Sequence, residues 1–220
     1  MNKENFEKQF WYFYIDIEEE FLEIGKTIPI DIINRNTFSF KYAKLLQTIC
    51  SEIDVIFKKF MDLKKYPRKK ENIKTYESFI KNNFNDFKSS TVTCYRSFHN
   101  YEPIKPYEEW TSQNSPRWWK INNKIKHSRS ELDAFGIEQY KSANQFNVLY
   151  ALAGLFILLM YFYEEIINED SPKEKLRVPL PQSEIFHLEN WGDYYKNIIA
   201  NKYYFEIKKD GNLWLTAPDR

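Results

Sequence analysis

The residues best suited to chemistry lie in one short stretch, Pro116–Arg129, with the sequence PRWWKINNKIKHSR. His127 stands there with Lys120 and Asn123, and these three are the candidate catalytic residues. A histidine gains and loses a proton near neutral pH, and a lysine can hold a phosphodiester and stabilise its developing charge. Cleavage of RNA without a metal requires little more than those elements. The alternative is that His127 is an ordinary surface residue.

The same stretch is basic. Five Lys or Arg residues and no acid lie between Trp110 and Ser130. A second run, Lys58–Lys70, holds seven cations and one acid. One such run is usually a solvated face, whereas two runs of one sign favour an anionic partner. Four of these cations are the candidate phosphate- or RNA-binding residues: Lys126, Arg129, Lys124 and Arg117.

The motif stretch is predicted to be a helix that Ser115 caps and Pro116 opens, since proline fits the first helical position. At 100° per residue, three apolar residues share one side, namely Trp118, Ile121 and Ile125. His127 projects roughly opposite them, with Lys120 and Asn123 as its nearest neighbours.

Two further polar residues are assigned supporting roles. Asn122 lies with Arg129 at the border of the apolar side of the motif helix. Glu52, on the preceding long helix, lies next to Ile49 and Ile56 and is a candidate partner for Arg129. The alternatives are a surface carboxylate for Glu52 and ordinary packing for the other two.

The composition excludes several function classes. Only 5 glycines are present, and no glycine-rich nucleotide-binding motif occurs, which disfavours ATP- or NAD-dependent chemistry. No second His, Cys or acid lies at metal-ligand spacing from His127, so we expect no metal and no cofactor. The formal net charge is +1, so no global field drives the protein onto nucleic acid or membrane. Cys50 and Cys94 lack redox spacing, and a free buried thiol is expected at Cys50.

The hydrophobic pattern predicts a mainly α protein: a helical bundle with a small C-terminal β-hairpin. Apolar residues recur at helical spacing over 3–24, 39–65 and 71–87. In the first of these helices the buried stripe is expected to include Phe10, Phe13 and Ile17. The segment from Val148 to Tyr163 has 16 residues without a charge. At 1.5 Å per residue it covers about 24 Å, short of the roughly 30 Å bilayer core, so a central core helix over about 144–168 is preferred to a membrane span. Strand-like runs at 202–207 and 213–216, separated by Asp210-Gly211, predict the hairpin.

The stretch WWKINNKIKHSR, preceded by SFKYAKLLQTICSEID and followed by NQFNVLYALAGLFIL, resembles HEPN-type helical domains, which are common in prokaryotic defence and toxin systems. The resemblance covers residues 39–168. It implies a helical bundle, metal-independent endoribonuclease activity and a homodimer that brings two His127-bearing helices to one cleft. In the family's catalytic pattern four to six residues separate an arginine from the histidine that follows it. Here Lys120, with six residues between, and Asn122, with four, occupy the two ends of that spacing, and Arg129 follows the histidine. The alternative is a non-catalytic HEPN-like module that dimerises or binds a partner.

Taken together, these features divide the chain into a HEPN-like bundle with an additional N-terminal helix (1–168) and a C-terminal extension (169–220). The expected partners are RNA, a second copy of the chain and a protein partner such as an antitoxin, with no membrane. The N-terminal residues lack the apolar run of a signal peptide, and the cysteines fit a reducing compartment, so a cytoplasmic location is expected.

Overall fold

The structure, a computed structural model, describes residues 1–94, 101, 103–170, 178–189 and 191, and the backbone of strands 204–207 and 213–216. Most of the described residues are helical. Helix α1 (Lys3–Phe6) continues through a π-helical segment (Glu7–Trp11) into α2 (Tyr12–Gly25). The remaining helices in chain order are α3 (Phe40–Leu63), α4 (Ile73–Asn83), α5 (Arg117–Ser128) and α6 (Gln145–Asp170).

Short polar side chains begin several of these helices. The Ser39 hydroxyl accepts a hydrogen bond from the Tyr42 N–H at 3.0 Å, which confirms the predicted start of α3. The Asn72 carboxamide accepts from the N–H groups of Lys74 and Thr75 at the start of α4. Such caps satisfy amide groups that have no partner within the helix.

Helix α6 lies at the centre of the bundle and packs against α3, α5 and the N-terminal helices. Its Phe162 ring contacts Phe60 and Phe6, with centroids 5.0 and 5.6 Å apart. Among the described residues it is the one helix long and apolar enough to cross a membrane, and its most apolar window is 83% buried inside the protein. It therefore packs as the predicted core helix.

Two antiparallel strand pairs accompany the helices. Strand β1 (Val92–Cys94) pairs with β2 (Phe186–Leu188), in a register that sets Val92 opposite Leu188. Strand β3 (Tyr204–Ile207) pairs with β4 (Leu213–Thr216), which confirms the predicted C-terminal hairpin.

The segment Val178–Glu189, part of the predicted C-terminal extension, packs directly on the helices. The Trp11 indole N–H donates to the Pro181 carbonyl at 2.7 Å. The Glu18 carboxyl accepts from the Glu184 N–H at 2.7 Å and from the Ser183 hydroxyl. The bundle and this segment therefore share one core, and Ile185, Phe186 and Leu188 contribute to it.

Local details differ from the predictions where the backbone departs from a regular α-helix. Phe13, expected on the buried stripe, is 43% exposed, while Trp11 and Tyr14 are buried. The π-helical segment inserts an extra residue into its turn, which rotates the following residues around the axis. Helix α4 ends at Asn83 rather than near residue 87, because Phe84 adopts an extended backbone with φ −141°.

Candidate functional site

Helix α5 carries seven of the nine residues that the sequence singles out; Arg129 directly follows the helix, and Glu52 lies on α3. The inner side of α5 fixes the position of the helix. The buried Trp118 indole donates to the Pro106 carbonyl at 3.0 Å, and Ile121 and Ile125 are also buried. A Cβ at Gly154 of α6 would lie 3.1 Å from the Trp118 ring, so glycine permits this close approach. The helix begins at Arg117, one residue later than predicted, since Pro116 has an extended ψ of 144°. Ser115 is therefore not the cap.

The outer side of α5 presents four cationic or titratable residues along one line, at spacings i, i+3, i+7 and i+10. They are exposed and are here called the basic stripe: Arg117, Lys120, Lys124 and His127. Ten residues of helix carry the stripe over about 15 Å. The predicted projection of His127 away from the core, with Lys120 on its side, agrees with this exposure.

No described acid forms an ion pair with the basic stripe. The Arg117 guanidinium lies 5.9 Å from the Phe146 ring centroid, and the Lys120 ammonium donates to the Asn114 carboxamide at 2.5 Å. Elsewhere lysines are paired, as in Lys64 with Glu165 at 2.7 Å. The charges of the stripe are thus available to an anionic ligand.

A second polar surface lies on the side of α5 that faces α3. A cleft of about 520 Å³, here called the α3–α5 cleft, opens between the helices. From α5 it is lined by Trp119, Asn122, Asn123 and Lys126, and from α3 by residues that include Gln47, Ser51 and Asp54. Asn123 and Lys126 therefore belong to the cleft rather than to the line that carries His127.

Asn122 lies at the bottom of this cleft. It is 7% exposed, and its carboxamide makes no hydrogen bond with any other described residue. It is not among the side-chain groups that are both cut off from solvent and unsatisfied, so its polar atoms reach the cleft. The predicted position of Asn122 at the border of the core is confirmed.

The carboxylates at the other end of the cleft are occupied. Asp54 accepts from the Tyr76 hydroxyl and pairs with the Lys58 ammonium at 2.7 Å. Lys58 also lies 3.3 Å from Glu71, which pairs in turn with Arg68 at 3.1 Å. Burial, and to a smaller extent the nearby Asp54 carboxylate, raises the pKa of Tyr76 well above its ordinary value. This network holds α3, α4 and their connection together.

The predicted pairing of Glu52 with Arg129 is wrong. Arg129 follows the last residue of α5 and is exposed, rather than lying at the core border. Glu52 is half-buried on α3, and burial raises the pKa of its carboxyl. The described residues contain no ion pair between the two, because Arg129 is at the solvent-exposed end of its helix.

Three features of the site were not found from the sequence. Gln47, Ser51 and Asp54 face the cleft, and their spacing of four and three residues along α3 was the available signal. The cleft wall formed by Trp119 was also missed.

The third feature is the loop Leu132–Ile137, which follows α5 directly. The Asp133 carboxylate accepts from the N–H groups of Phe135 and Ile137 at 2.8 and 3.0 Å, and Gly136 takes a positive φ of 76°. Those two hydrogen bonds, with a smaller contribution from Lys124, lower the pKa of Asp133. The turn holds Phe135 outward at 87% exposure, beside the C-terminal end of the stripe.

Within the described part of the chain, no three His, Cys, Asp or Glu side chains are grouped closely enough to hold a metal ion. Comparisons with protein-family models, curated proteins and solved structures found no match to this chain. The resemblance of residues 39–168 to HEPN domains therefore stays a prediction based on its motifs.

Proposed function

We propose that this protein is a HEPN-like protein of prokaryotic defence or toxin–antitoxin biology that binds RNA through helix α5. The observation that carries the proposal is the basic stripe, whose exposed cations form no ion pair with a described acid; Lys124 influences Asp133 without forming one. A strand of RNA laid along about 15 Å of helix would meet several of these charges in succession. Release of counterions from the RNA then supplies the binding free energy.

The Leu132–Ile137 loop favours single-stranded RNA over a duplex. Phe135 is almost fully exposed, and the Glu131 N–H donates to the Ser128 carbonyl at 2.9 Å, which ties the chain before the loop to the end of α5. Proteins that bind single strands combine a cationic track with aromatic side chains on which bases stack. The stripe and Phe135 supply both elements.

Metal-independent cleavage is the second candidate function, and the position of His127 favours it. The imidazole stands on the stripe itself, so a bound strand passes it, and Lys120 precedes it on the same side. His127 has no hydrogen-bond partner among the described residues of its own chain. Cleavage therefore requires the second copy that the HEPN resemblance implies, because a catalytic histidine must be oriented by a neighbouring group.

Binding is tested by titrating labelled single-stranded RNA at several salt concentrations. The variant Arg117→Gln/Lys120→Gln/Lys124→Gln removes three charges of the stripe. Its matched control is Lys41→Gln/Lys74→Gln/Lys81→Gln, which removes three exposed lysines of α3 and α4 that lie outside both basic runs and form no described ion pair. The slope of log K against log salt should fall by about 2 in the first variant, at roughly 0.7 per phosphate contact. An equal loss in both variants would contradict the proposal.

Cleavage is tested with the same RNA in the presence of a metal chelator, comparing the wild type with His127→Ala. Loss of cleavage with binding retained supports the catalytic version. Equal activity in both proteins, or none in either, rules out cleavage by His127 and leaves RNA binding as the proposed function. Biological activity that survives replacement of both His127 and Lys120 would favour the non-catalytic interaction module.

A further inference from the structure

Asn122 is in an unusual position for a polar side chain. It is more than nine-tenths buried on α5, and its carboxamide has no partner among the described residues. A buried amide without hydrogen bonds destabilises a fold, so such groups normally have a partner. The carboxamide of Asn122 opens on the α3–α5 cleft, so a hydrogen-bonding group that enters the cleft can reach it.

The rest of the cleft has the chemistry of a site for a flat, polar, anionic ligand. Gln47 and Asn123 add two carboxamides, neither of which bonds to another described residue. Trp119 supplies an aromatic wall, and Lys126 adds a cation that has no described ion partner. The volume of about 520 Å³ lies within the range of small-molecule sites.

A metal ion does not fit this cleft. Asp54 is engaged by Tyr76 and Lys58, and Glu71 by Lys58 and Arg68, so both carboxylates are already neutralised. The groups left over are three carboxamides, one indole, one ammonium and the Ser51 hydroxyl, with the Cys50 thiol beside them. These recognise an aromatic ring with donor and acceptor edges, together with a phosphate.

We propose that the α3–α5 cleft binds one nucleobase and its adjoining phosphate. The Asn122 carboxamide pairs with a donor–acceptor edge, for which adenine is the best match, since an Asn side chain makes two hydrogen bonds to that base. Trp119 packs against the ring, and Lys126 contacts the phosphate. The base belongs either to a free mononucleotide or to an unstacked position in a single strand, and the second source rests on the RNA binding proposed above.

The test is a titration of the full-length chain with AMP, GMP, CMP and UMP, and separately with a short single-stranded oligoadenylate. Asn122→Leu keeps the side-chain size and removes the hydrogen-bonding groups. It should keep or raise the melting temperature, because it removes an unpaired buried amide, and weaken adenine binding roughly ten- to a hundredfold. Lys126→Gln, an exposed change that leaves the core intact, should weaken AMP binding but not the binding of adenosine, which is titrated alongside. Lys81→Gln, an exposed change on α4, is the matched control.

The outcomes separate the two sources. AMP binding that depends on Asn122 identifies a mononucleotide site, and it should persist in the triple variant of the basic stripe. Oligoadenylate binding that depends on Asn122, without AMP binding, identifies a strand site. If Asn122→Leu and Lys126→Gln change neither titration, the cleft proposal is overturned, whether or not the stripe binds RNA.

Discussion

The carboxyl group of Glu18 is buried on α2, where it accepts hydrogen bonds from the hydroxyls of Tyr14 and Ser183 and from the Glu184 N–H. Burial raises the pKa of Glu18 above its ordinary value of 4.5, and the hydrogen bonds oppose that change. The folded state thus holds this proton more tightly than the unfolded state does.

Stability should therefore depend on pH through Glu18. Because the folded pKa is raised, the contribution is fully present below about pH 4.5 and is lost as the pH rises through the folded pKa. Denaturant unfolding at a series of pH values measures it. The Glu18→Gln variant should lack this decline, and it should also be less stable by about 1–3 kcal/mol, because an NH2 group replaces one of the two carboxyl oxygens that accept hydrogen bonds. Parallel pH profiles in the two proteins would refute the assignment.

At the residue scale, helical periodicity predicted which side of α5 each side chain occupies. His127 and Lys120 are exposed, and Asn122 is buried, as their angles indicate. The pairing of Glu52 with Arg129 failed because an angle around one helix says nothing about the distance to another. The α3–α5 cleft could not be predicted for the same reason.

At the scale of elements, the π-helical segment Glu7–Trp11 sets the register of the N-terminal helix. With this segment in place, four aromatic residues are buried together: Phe6, Phe10, Trp11 and Tyr14. Sequence periodicity alone predicted a regular helix and therefore placed Phe13 in the core. An extra residue in one turn leaves no compositional signal.

Deleting the exposed Gln9 should convert this segment to a regular helix. One set of buried aromatics would then rotate by about 100° out of the core. We expect a loss of more than about 3 kcal/mol in the free energy of unfolding, comparable to truncating a buried aromatic residue. Gln9→Ala is the control and should change stability by less than about 0.5 kcal/mol. A deletion variant as stable as the wild type would show that the register is not fixed.

The contact between α5 and α6 provides a second test at this scale. In Gly154→Ala the new methyl group would meet the Trp118 ring at 3.1 Å and the Tyr107 hydroxyl at 3.3 Å. Overpacking of this kind costs about 1–3 kcal/mol, measured by denaturant unfolding. The additional change Trp118→Phe, which makes the ring smaller, should recover part of the loss. If Trp118→Phe restores none of the lost stability, the strain does not arise at the Trp118 ring.

At the scale of the whole molecule, the proposed cleavage requires a second copy that brings its own His127 to the same cleft, as the HEPN resemblance implies. The native thiols allow a clean test, since burial raises the pKa of Cys94 to about 12 and that of Cys50 well above its ordinary value. Both are therefore less reactive near neutral pH than an exposed thiol.

His127→Cys should consequently give a covalent dimer with a short bis-maleimide, seen as a doubled mass on a denaturing gel. Lys59→Cys, on the exposed side of α3, is the control and should stay monomeric. Equal cross-linking at both positions would indicate random collision, and no dimer at residue 127 would leave the stripe open to RNA alone.

The overall class followed from the sequence because long amphipathic and apolar runs specify helices and a core. The packing of the described part of the C-terminal extension on the bundle was harder to predict from the sequence. Its attachment to the bundle depends on Trp11 reaching Pro181 and Glu18 reaching Ser183, which are contacts between distant positions. No local pattern encodes such contacts.

Those long-range contacts have a consequence for synthesis of the chain. Glu18 and Glu184 are separated by 166 positions, so at translation rates of about 5–20 residues per second the ribosome needs roughly 8–33 s to make the second after the first. Throughout that interval the Trp11 indole N–H and the Glu18 carboxyl lack the partners that Pro181, Ser183 and Glu184 later supply. The N-terminal helices are thus synthesised well before they can complete their contacts, which must wait until residue 184 has been made.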